Sequence, residues 1–85
     1  MNFTVQWQIN GVQQINFGGY NDRDDAFRKV NALWDMRDAM LRKLGLDRGH
    51  IEFEIVGDDG AHWFHDQILR EINAKPHLRE PPRVW

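Results

Sequence analysis

Apolar and polar side chains alternate from Phe3 to Ile9, with Phe3, Val5, Trp7 and Ile9 on one side and Thr4, Gln6 and Gln8 on the other. This period of two marks a strand buried on one face, and Asn10-Gly11 after it signals a hairpin. A two-residue turn at Asn10-Gly11 pairs Trp7 with Gln14 and sends Ile15 and Phe17 to the opposite face, which splits the apolar set. A three-residue loop, Ile9-Asn10-Gly11, with Gly11 left-handed in a bulge, pairs Trp7 with Gln13, Val5 with Ile15 and Phe3 with Phe17. The pattern favours this second register, because one face becomes apolar and the other carries Thr4, Gln6, Gln8, Val12, Gln14 and Asn16. Gly18-Gly19 is expected to break the strand.

A period near 3.6 follows. Ala26, Phe27, Val30, Leu33, Trp34, Met40, Leu41 and Leu44 fall in one arc of a helical wheel, which predicts an amphipathic helix to about Leu44. Asn21 or Asp22 caps its start, Asp24 and Asp25 suit the positive end of its dipole, and Arg42 and Lys43 suit the negative end. Gly45 stops it. Arg37 lies in the middle of the apolar arc, so its stem is expected on the core with its head reaching Glu52, Glu54 or an Asp at an edge.

From His50 to Val56 the alternation returns, with Ile51, Phe53 and Ile55 against His50, Glu52 and Glu54, which predicts a third strand. The next segment has two solutions. Ala61, Phe64, His65, Ile68, Leu69 and Ile72 form a helical stripe, which favours a helix from about Ala61. Asp58-Asp59-Gly60 also suits a hairpin loop that pairs Ile55 with Trp63 in a short fourth strand. A helix covers Gln67 to Ala74 in either case, and Pro76 ends it. The elements describe one α+β domain over residues 1–75, a two-layer sandwich with a small, mostly antiparallel sheet (β-β-α-β-α) and two helices on one face. Residues 76–85, with Pro81 and Pro82, are expected as an extended tail.

A chain of 85 residues holds one core. It has no Cys and no Ser, and Thr4 is its only Thr, so thiolate zinc sites, Cys or Ser nucleophiles and the hydroxyl of a phosphate loop lack their atoms. No apolar run suits a membrane span or a signal peptide, which leads to the expectation of a cytoplasmic protein. The net charge is −2, and the first twenty residues carry no charged side chain. A sheet edge with no charged guard invites pairing with another copy, so a homodimer through the hairpin edge is expected as one mode of association.

Three constellations bear on function. His62, His65 and Asp66 present two imidazoles and a carboxylate, the set a small metal-dependent hydrolase would use. On the helical wheel His65 points to the core while His62 sits at its edge, so a histidine bonded to backbone is the simpler expectation, and no cofactor is expected. Arg42, Lys43 and Arg48, with Lys75, Arg79 and Arg83, form modest basic patches. The polar sheet face lacks the aromatic platform of a sheet that binds single-stranded nucleic acid. Trp63, if helical, lies outward near Arg70, a pair enriched in binding hot spots. The sequence therefore points to a non-catalytic protein-interaction module that acts by occupying a surface, as an adaptor, an assembly subunit or a small inhibitor. Short proteins that phages deploy against host defences offer an analogy of size alone. The expected contacts are Trp63, Arg70, Gln6, Gln8 and Gln14, with Arg83 and Trp85 in the tail.

Overall fold

The computed structural model describes residues 2–9, 11–43, 45 and 51–83, with the backbone alone for Gln13, Gln14, Ile15 and Met40. Its elements are β1 (Phe3–Ile9), β2 (Val12–Tyr20), α1 (Arg23–Asp35), α2 (Arg37–Lys43), β3 (Ile51–Gly57), β4 (His62–Trp63) and α3 (His65–Ala74), followed by a 3-10 helix at Pro76–Arg79. The strands form one antiparallel sheet in the order β2-β1-β3-β4. Phe3, Val5, Trp7 and Ile9 of β1 and Ile51, Phe53 and Ile55 of β3 are buried on one face, as their alternation predicts. Ala26, Phe27, Val30 and Leu33 of α1 and Ile68 and Ile72 of α3 close the core over them.

The hairpin corrects the expected register. Ile9 pairs with Val12 and Gln8 with Gln13, so the connection is the two-residue one, with Gly11 at φ +82°. Phe17 is brought beside Val5, and Tyr20 beside Phe3, by shifts within the ladder rather than at the turn. One shift between Gln8 and Gln6 sets Gln6 opposite Asn16 and Val5 opposite Phe17, and a second sets Phe3 opposite Tyr20. Each adds a residue to β2, as a bulge does, and flips the side chains beyond it. Gly18-Gly19 therefore does not end the strand. Gly19 takes φ +88° within it, and Tyr20 turns into the core at 3% exposure.

The single long helix is also corrected, because it divides at Met36. The Met36 N–H donates to Ala32 O and Leu33 O, and α2 restarts at Arg37. Asp22 is the N-cap of α1, and its side chain accepts from Asp24 N at 2.9 Å. Arg37 does snorkel, but toward a helix end: its guanidinium donates to Trp34 O at 2.9 Å and lies 4.5 Å from the Trp34 ring centroid. A cation at the C-terminal carbonyls of α1 adds a charged donor to an oxygen that the C-cap backbone already reaches, and it complements the helix dipole. Met40, beyond its backbone, and Leu44 of the expected arc lie outside the described residues.

The segment after β3 takes the hairpin solution. Ile55 pairs with Trp63 and Val56 with His62, so the helix from Ala61 is overturned and α3 begins at His65. The start of the expected extended tail, Pro76–Arg79, is instead a 3-10 helix docked on α1. Leu78 is fully buried, His77 O accepts from Arg28 Nε at 3.0 Å, and Asp25 Oδ1 accepts from Arg28 at 2.9 Å. This covering explains why Asp25 and Arg28 are buried on a helix flank that the wheel assigns to solvent.

Candidate interaction surface

The sheet has one face under the helices and one face without a described layer over it. On the open face, Thr4, Gln6 and Gln8 of β1 stand beside Val56, Glu54 and Glu52 of β3, in that register. Gln6, Gln8, Glu54 and Val56 are half-buried by their strand neighbours, while Glu52 and His62 are exposed. In the backbone register Gln8 lies opposite Gln13 rather than Val12, and Gln6 opposite Asn16 rather than Gln14, which corrects the expected face. Val12 sits opposite Ile9 rather than on the amide face and is exposed.

At the β4 side the open face ends in an aromatic step. The His62 ring stacks on Phe64 with centroids 4.3 Å apart, and His62 Nε2 lies 3.0 Å from Glu54 Oε2. Phe64 is the N-cap of α3, in extended backbone geometry, and its N–H donates to Gln67 Oε1 at 3.0 Å. That position puts a large apolar ring at 55% exposure, although periodicity assigns it to a buried stripe. Beside it opens a cleft of about 210 Å³ lined by Glu52, Phe53, Glu54, Phe64, His65 and Asp66. Among the described residues three carboxylates and no Lys or Arg line it.

His65 forms the floor for a structural reason. β4 pairs with only two residues of β3, and the chain then turns into α3, so on its β4 side Phe53 has no strand backbone opposite it, while Trp7 of β1 pairs with it on the other. His65 Nδ1 accepts the Phe53 N–H at 3.1 Å, and the ring packs against Phe53 and Trp34 at centroid distances of 6.1 and 5.3 Å. A buried edge donor is thereby satisfied by a side chain. With His65 held there and His62 on the open face against Glu54, His62, His65 and Asp66 do not converge. Among the described residues no three His, Asp or Glu side chains are placed to hold one metal ion, those lining the cleft included.

The other expected contacts are scattered. Trp63 is not on a helix beside Arg70; it is half-buried in β4, packed against Phe3 and Phe27 at 6.0 and 5.8 Å. The Arg23 guanidinium lies over both the Phe27 and Trp63 rings and pairs with Glu71. Arg70 is exposed on α3, in the helical layer. Arg83 is exposed past the 3-10 helix, with its backbone N–H 3.5 Å from Asp25 Oδ1. Trp85, Arg48 and the Gln14 side chain lie outside the described residues. The hairpin's edge strand is β2, since β1 is internal, and two bulges interrupt its ladder. No described helix is long and apolar enough to cross a membrane. Comparison with family models, curated proteins and solved structures yields no match.

Proposed function

We propose that this protein is a non-catalytic interaction module whose contact surface is the open sheet face and its aromatic step, and that its partner is another protein. The observation that carries this reading is Phe64, exposed at 55% and stacked on His62, which Glu54 engages in turn, at the border of a polar sheet face. An aromatic anchor surrounded by amides and charged groups that hydrogen-bond at a rim is the usual anatomy of a protein contact. Gln6 and Gln8 supply that polar border. Glu52 and Glu54 on the same face oppose a phosphate backbone, which favours protein over nucleic acid. Occupying a partner's surface requires no reacting group, and adaptor, assembly and inhibitor roles all operate this way.

The test compares what is retained from lysate of the source cells by the immobilised protein and by two variants, Phe64→Ala and Arg83→Ala. A specific protein retained by the unaltered chain and by Arg83→Ala, and lost with Phe64→Ala, is expected. Retention that ignores Phe64, or that depends on Arg83, refutes this assignment of the surface.

A further inference from the structure

We infer that the partner presents an arginine to this surface, on an extended segment, with its guanidinium laid on the Phe64 ring and turned toward the cleft beside it; this deepens the proposal above and rests on it. Two independent features meet there. The first is the exposed Phe64 ring, whose π-face attracts a cation. The second is charge: among the described residues, Glu54, Asp66 and Glu52 line the adjoining cleft and no Lys or Arg does. Glu54 is engaged with His62, which fixes one carboxylate at the border of the ring stack.

The cleft volume of about 210 Å³ admits a planar guanidinium and part of its stem. Arginine suits the site better than lysine, because its flat head stacks on an aromatic ring while its edge donates to a carboxylate in a fork. The compact ammonium of lysine achieves one of these at a time. An extended segment suits the approach, since the cleft lies beside β3 where β4 has already ended.

The test selects binders from a displayed library of random linear peptides against the intact protein, then measures them as free peptides on Phe64→Ala, Asp66→Asn and Arg70→Ala. Melting temperatures establish that each variant folds. The expected result is enrichment of arginine-bearing peptides whose binding falls about tenfold or more with Phe64→Ala and with Asp66→Asn, weakens with salt, and is unchanged by Arg70→Ala. Peptides without arginine that still require Phe64 overturn the arginine and leave the surface standing. Binders indifferent to Phe64, or no binders, overturn both.

Discussion

His65 shows how one side chain replaces a missing strand. Its Nδ1 takes the Phe53 N–H, and its ring fills the space between Phe53 and Trp34. His65→Ala orphans that donor and opens a gap, so we expect a loss of about 1–3 kcal/mol in urea unfolding, against under about 1 kcal/mol for His62→Ala at the surface. Equal effects would contradict the role. Burial, with Asp25 adding to it, raises the Tyr20 hydroxyl above its ordinary value, and burial lowers the Lys29 ammonium. The two act oppositely at high pH. A raised Tyr20 contributes stability that is present below pH 10.0 and lost as pH climbs through the folded value, whereas a depressed Lys29 penalises the fold until it deprotonates, so stability gains as pH rises toward 10.5. Tyr20→Phe should therefore flatten or reverse the alkaline fall in unfolding free energy. An unchanged slope would exclude Tyr20 as its source. The sequence made His65 legible as a core histidine, because its position on the apolar stripe holds even with a later helix start. Phe64 was not legible, since its exposure follows from being the N-cap.

Among the elements, β2 departs most from local expectation. Alternation identifies which side chains belong together, but an extra residue in the ladder is invisible to it, so the expected bulge was placed at the turn and the observed shifts lie further along. Gly18-Gly19 was a true signal with a second meaning: a strand tolerates a left-handed residue at a bulge as readily as it ends there. Gly19→Ala forces a Cβ into φ +88° and should cost about 1–2 kcal/mol. Thermal unfolding checks this, and a variant as stable as the parent would mean that the bulge is not needed at Gly19. The break at Met36 had no Pro or Gly to announce it. Arg37, odd within an apolar arc, was the available clue, and Arg37→Ala is expected to lower stability by about 1 kcal/mol as α1 loses a charged donor at its end.

For the whole molecule, the two-layer α+β architecture was legible because the strand and helix periods are long and unambiguous, and the buried face of β1 and β3 follows directly from them. What escaped was long-range: the tail that docks on α1, and the contest between helix and hairpin after β3. Both are settled by contacts distant in sequence, Leu78 in the core and Trp63 against Phe3 and Phe27. Leu78→Ala should cost about 2–5 kcal/mol, as for other fully buried leucines, and a loss under about 0.5 kcal/mol in denaturant would show that the tail does not complete the core. With the helices and the 3-10 segment packed on that core, the open sheet face is the surface proposed for the partner. The most direct test places a photo-crosslinking side chain at position 8 or 64 on that face, or at position 70 or 83 away from it, in the cells that make the protein. The same adduct should form from positions 8 and 64 and not from 70 or 83; an adduct confined to 70 or 83 would contradict the assignment.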